Sequence, residues 1–126
     1  VTASLAPWVA AAVLVAGALG AVARFALSRA LPVRPGRLPW GILIANVGGS
    51  AVAGLVIGLA ERAALGDDVR LILVTGFCGG LTTFSTWSVE SIELAATGRW
   101  RAAALNVGAT FAFGLVACAV AYLLAR

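Results

Sequence analysis

Four stretches, residues 8–31, 40–60, 70–97 and 102–125, carry few charges inside them and are each long enough to cross ~30 Å of hydrocarbon as a helix, which takes about 20 residues. No other feature constrains the fold as strongly. A soluble chain of 126 residues cannot hide four such stretches from water, because a domain this small leaves much of its surface exposed. Only 11% of the residues are charged, against about 25% in an ordinary soluble domain. The expected fold class is therefore all-α, a membrane protein of four transmembrane helices. The joints "PVRPGRLP", "ERAALGDDVR" and "GRWR" are too short to separate domains. Residues 1–126 are expected to form one domain with both termini on the same side. The first stretch lacks a basic leader, so it is expected to be a retained span and not a cleaved signal. The chain contains no Met, and its true start is expected to be missing or processed.

Several function classes drop out. All nine basic residues are Arg, and they cluster near the ends of the apolar stretches, where they anchor to headgroups. No basic face with interleaved aromatics exists for nucleic acid. The chain has no His, which removes the commonest general base and metal ligand. Cys78 and Cys118 lie inside apolar stretches, where a thiol behaves as a small hydrophobe. With no nucleophile–base pair, an enzyme has nothing to stand on. Arginines near the first and third joints (Arg29, Arg34, Arg37, Arg99, Arg101) outnumber those on the other side (Arg62, Arg70, Arg126) by five to three. Such a weak bias permits insertion in both orientations.

The second stretch places Asn46, Ser50, Gly54 and Gly58 on one helical face. Small residues at this spacing predict close helix packing. Asn46 reads equally as interhelical glue or as the lining of a polar path, since its amide needs a partner. In the fourth stretch, Asn106, Thr110, Gly114, Cys118 and Tyr122 form a mildly polar stripe whose expected role is packing. Arg24 reads either as a snorkelling anchor or as a group holding a site or a partner helix.

The third stretch contains "TGFCGGLTTFSTWSVE", residues 75–90. Gly76, Gly79 and Gly80 weaken a helix, and the hydroxyls that follow compete for its backbone bonds. A break at residues 79–83 is predicted, in the middle of the membrane. Freed carbonyls there must be buried in protein or must hold a hard cation such as Na⁺. Phe84 and Trp87 follow at helical spacing. Core packing is one reading of the pair. In the other, their ring edges, which carry the positive end of the quadrupole, hold a small anion weakly enough to let it leave.

These residues carry a resemblance. "GFCGGLTTFSTWSVE" is similar to the signature of the Fluc (CrcB-like) family of bacterial fluoride channels, approximately G-x-x-G-G-x-[ST]-T-F-S-T-[FW]. "ANVGGS" resembles the family's second-helix pattern and "GAVARFALS" its first-helix pattern, so the likeness spans the whole chain. It implies an antiparallel dual-topology dimer in the bacterial plasma membrane, with two fluoride pathways along the interface and passive export of fluoride. It implies a central structural Na⁺ on the backbone carbonyls of Gly79 and Thr82. It implies a fluoride pathway of Asn46, Phe84, Trp87, Thr83, Ser85, Thr86 and Thr110, with Arg24 and Glu90 as structural or vestibule groups. The partners implied are fluoride, a second copy or a homologous sister subunit, and the lipid bilayer.

Two positions depart from the pattern. Trp87 stands where the family usually has Phe, and Gly114 and Cys118 stand where some relatives carry hydroxyls. A non-conducting subunit that works only beside a partner is therefore the alternative. A small multidrug transporter is the weaker rival, because the only charge well inside the first stretch, Arg24, has the wrong sign for proton-coupled cation exchange.

Overall fold

The computed structural model describes residues 5–126, so the first four residues of the expected domain lie outside it. Four helices in it are long and apolar enough to cross a membrane: Pro7–Ala30, Trp40–Glu61, Asp67–Ala96 and Trp100–Ala125. The first is α1 (Pro7–Ala30), with Pro at its start, where the missing N–H costs nothing. The second is α2 (Trp40–Glu61). The third comprises α3 (Asp67–Leu71), a π-helical stretch Ile72–Cys78, α4 (Gly79–Leu81) and α5 (Phe84–Ala96). The fourth is α6 (Trp100–Ala125). The third span starts a few residues earlier than expected because Asp67 and Asp68 occupy the first turn of α3, where the helix dipole favours acids.

Small residues set the packing. Gly17, Gly20, Gly76 and Gly80 bring α1 against the third span. A Cβ on Gly76 would sit 2.8 Å from the Val13 carbonyl, and one on Gly80 would strike the carbonyl of Gly17. On the other side of the molecule Gly54 of α2 abuts the Cys118 carbonyl, and a Cβ on Gly58 would lie 2.7 Å from that of Tyr122. Contact positions rise together along each pair, so α1 runs parallel to the third span and α2 parallel to α6. The small-residue face expected of α2 thus packs against the α6 stripe. At one end Arg62 donates to the Ala125 carbonyl (3.2 Å) and Tyr122 to Glu61 (2.6 Å), tying the second joint to the end of α6. At the other, the Arg99 guanidinium lies against Gly36, joining the first and third joints.

Large apolar side chains face outward, among them Leu14, Phe25, Phe111, Leu115 and Leu124. This inversion suits a chain whose solvent is lipid and whose interior is closed by backbone contact. Gly54→Val is expected to destabilise the fold by ~1–3 kcal/mol, at the upper end because the obstacle is a carbonyl of a packed helix. Gly66→Ala, in a joint with open space around the new Cβ, should change little. Thermal unfolding in detergent compares the two.

The glycines are not where the third span breaks. Gly79 is helical (φ −61°, ψ −38°), and Gly76 and Gly80 serve the α1 contact. The chain leaves the helix at Thr82 (φ −80°, ψ 153°) and Thr83 (φ −148°, ψ 128°). The interruption therefore falls within the predicted window, at the hydroxyl residues.

Candidate functional site

The interruption is held by side chains from two other helices. The Thr83 N–H donates to Oδ1 of Asn46 (2.8 Å), and Nδ2 of Asn46 donates to the Thr83 carbonyl (3.1 Å). Of the two readings open for Asn46, interhelical glue is therefore satisfied, with one amide hydrogen to spare. Nε of Arg24 donates to the Gly80 carbonyl (3.2 Å), so this arginine braces the turn before the break and does not simply snorkel. Thr82 folds its hydroxyl onto the Cys78 carbonyl (2.9 Å). Thr83 then caps α5, accepting from the Thr86 N–H (3.3 Å).

These bonds divert two amides from the backbone carbonyls they would meet in a continuous helix. In an unbroken helix the Gly79 carbonyl would accept from the N–H of residue 83, and the Thr82 carbonyl from that of residue 86. Asn46 has taken the first donor and the Thr83 hydroxyl the second. The carbonyls of Gly79 and Thr82, which the resemblance implies for a cation, are among those that lose their helical partners at the break.

Beside the break is a cavity of about 490 Å³ between α2, α5 and α6, lined among others by Asn46, Ser50, Thr83, Phe84, Trp87 and Thr110. No charged residue lines it. Ser50 is spent on the Asn46 carbonyl (2.8 Å). The Thr110 hydroxyl is buried with no hydrogen-bond partner among the described residues. Phe84 stands at the rim, 75% exposed in the single chain, with its ring centroid 5.4 Å from that of Trp87. Trp87 is buried and meets Phe111 edge to face at 5.5 Å. Its indole N–H is not free, because it donates to the Asn106 carbonyl (3.4 Å).

The remaining expected residues are dispersed. Ser85 and Thr86 cluster with Thr83, their hydroxyls 3.2 and 3.3 Å from Oγ1 of Thr83, but they do not line the cavity. Glu90 faces a second cavity, of about 170 Å³, at the first-joint end, and its Oε2 has no partner among the described residues. The polar pair Asn106 and Ser91, bonded at 3.0 Å behind Trp87, was not expected from the sequence. Asn106 is only 1% exposed. Its four-residue spacing from Thr110 was visible, but a stripe does not reveal which neighbour it meets.

Comparisons with known proteins place the chain in a family. A family model described as "CrcB-like protein, Camphor Resistance (CrcB)" matches residues 11–122. The chain is 45% identical over 102 residues to a protein of Nitratidesulfovibrio vulgaris named fluoride-specific ion channel FluC, covering 79% of this chain and 82% of that one. It is 44% identical over 117 residues to fluoride-specific ion channel FluC 1 of Mycobacterium bovis, covering 92% and 89%. It is 50% identical over 107 residues to fluoride-specific ion channel FluC 1 of Leifsonia xyli, covering 83% and 78%. These relatives are named as ion channels, not enzymes. A match over nearly its whole length, on a chain of four apolar helices with an interrupted third span, means that this protein belongs to the CrcB-like family.

Proposed function

We propose that the chain is a subunit of a fluoride channel in the bacterial plasma membrane, exporting fluoride by passive electrodiffusion. The observation that carries this reading is the uncharged cavity beside the break, offering donors and aromatic rims in place of charged groups. Fluoride is small and strongly hydrated, so a path must replace its water with donors. The spare Asn46 amide hydrogen and the unpartnered Thr110 hydroxyl are such donors. The ring edges of Phe84 and Trp87 add weak positive potential without the grip of a full charge, which lets the ion leave. Chloride, larger and less demanding of donors, gains less from the same groups.

The functional unit in this reading is an antiparallel dual-topology dimer with two pathways. Phe84, mostly uncovered in one chain, becomes part of a pathway wall once a second copy closes over the cavity. Burial in the dimer also keeps the interruption, at mid-membrane, from lipid. The carbonyls of Gly79 and Thr82, whose helical donors are diverted, suit a hard cation, and with their counterparts on the second copy they would hold one Na⁺. When bound, that ion supplies fixed positive charge offsetting part of the cost of dehydrating an anion nearby. Arg24 and Asn46 hold the backbone that presents these carbonyls.

Liposomes holding only this chain and loaded with fluoride test the proposal. Fluoride should leave down its gradient when a potassium ionophore removes the charge imbalance, and chloride should stay. No fluoride release would favour the second reading, a subunit that conducts only beside a sister chain. Gly114 and Cys118 on the α6 wall of the cavity, where hydroxyls would be more useful, speak for it. Restoration of release by co-reconstitution with a sister chain would establish it.

Cys118 offers a separate check. It lines the cavity and is half-buried, whereas Cys78 is buried against neighbouring helices. Mercuric ion should reduce fluoride release to the level of empty liposomes and leave Cys118→Ser unaffected. An unaltered rate in the wild type would remove the cavity from the path.

A further inference from the structure

The first joint carries a structural device that the channel reading does not use. "RPGR", residues 34–37, is a β-turn: the Arg37 N–H donates to the Arg34 carbonyl (3.0 Å), and Gly36 takes φ +78°. Pro followed by a glycine of positive φ is the pattern of a type II turn, which brings its first and fourth Cα atoms within about 7 Å. Arg34 and Arg37 line the same two cavities beside the turn. The guanidinium of Arg99, from the third joint, lies against the bare Cα of Gly36, where any side chain would collide with it. The turn thus carries two arginines and has the guanidinium of a third against its glycine.

None of them is in an ion pair among the described residues. Among the described residues no carboxylate lies within 4.0 Å of Arg34, Arg37 or Arg99, and none of the three donates a hydrogen bond to the protein. Glu90 and Glu93 line a neighbouring cavity with Arg34 and Arg37, yet neither pairs with them. Below the turn is a cavity of about 170 Å³ lined by Leu31, Pro32, Arg34, Arg37, Leu38 and Trp40. It joins two cations to aliphatic walls and an indole. Trp40 and Trp100, 52% and 70% exposed, start α2 and α6 at this end. Tryptophans so placed mark the headgroup level of a bilayer.

We propose that this turn and its cavity form a binding site for an anionic phospholipid. The headgroup phosphate would sit between Arg34 and Arg37, and the glycerol and first methylenes would lie against Leu31, Leu38 and Trp40. Guanidinium is the cation best matched to phosphate oxygens. A free phosphate would satisfy the arginines but gain nothing from the apolar walls, so the lipid is the fitting source. The proposal does not depend on conduction.

Tryptophan fluorescence tests it in phosphatidylcholine bilayers containing brominated phosphatidylglycerol or, at the same mole fraction, brominated phosphatidylcholine. The wild-type chain should be quenched more strongly by the phosphatidylglycerol form. Arg34→Gln/Arg37→Gln, in an exposed turn, should lower that preference about 25-fold, taking each arginine near an anionic surface as worth about fivefold. In a Trp100→Phe background, which leaves Trp40 as the tryptophan at this end, Trp40→Phe should remove most of the excess quenching while Trp8→Phe, at the opposite end of the bundle, should not. Equal quenching by both lipids, an excess that survives the double substitution, or an excess that survives Trp40→Phe in that background overturns the site. Relief of the excess by millimolar inorganic phosphate overturns the lipid as its ligand.

Discussion

Phe84→Ile is expected to slow fluoride release from liposomes at least about 30-fold, taking ring–ion electrostatics as worth ~2 kcal/mol at a desolvated site. Isoleucine keeps the apolar bulk but has no ring edge, so the positive rim facing the cavity disappears. The fold should survive, because Phe84 is exposed in the single chain and its only ring neighbour identified is Trp87. Size exclusion in detergent should show an unchanged assembly, and a fluoride electrode should report the loss of flux. An unimpaired rate with an intact assembly would place the aromatic rim outside the path, and the cavity would then lose its role in selectivity.

A still larger effect is expected for Asn46→Asp, about 1,000-fold in rate, since two like charges about 4 Å apart repel by ~4 kcal/mol at an effective dielectric of 20. The substitution acts twice. It places a carboxylate in a cavity that otherwise has no charge and must pass an anion. It also turns the donor facing the Thr83 carbonyl at 3.1 Å into a second acceptor, while the bond from the Thr83 N–H is retained. Asn46→Leu separates the two contributions. Leucine brings no charge, but it strips both backbone groups of Thr83, each worth about 1–3 kcal/mol when buried and unmet. Asn46→Leu should therefore lower thermal stability more than Asn46→Asp does, and Asn46→Asp should lower flux more than Asn46→Leu does. The opposite ordering in flux would mean that Asn46 acts only as a brace.

The break in the third span shows how far sequence reasoning reaches. Three glycines and a run of hydroxyls announced an interruption, but the two features play different roles. Glycine permits close approach as well as flexibility, and periodicity does not say which is in use. Gly76 and Gly80 turned out to serve the α1 contact, because a carbonyl of α1 stands where their Cβ would be. Thr82 and Thr83 leave the helix because Asn46, distant in sequence, offers Thr83 a better pair of hydrogen bonds than the helix does. Trp87 carries the same lesson. An indole in place of Phe brings an N–H donor, and only the Asn106 carbonyl across the α5–α6 seam shows that proton already committed.

The sequence by itself determined the solvent and the span count, since ~20 apolar residues have few other stable homes, and it determined the family, through a motif carried on adjacent residues. Which helix faces are parallel neighbours, which carbonyls lose their amides, and which of the hydroxyls line a cavity were decided only by the tertiary structure. Those properties depend on distances between segments remote along the chain, set by where glycines let one backbone rest on another.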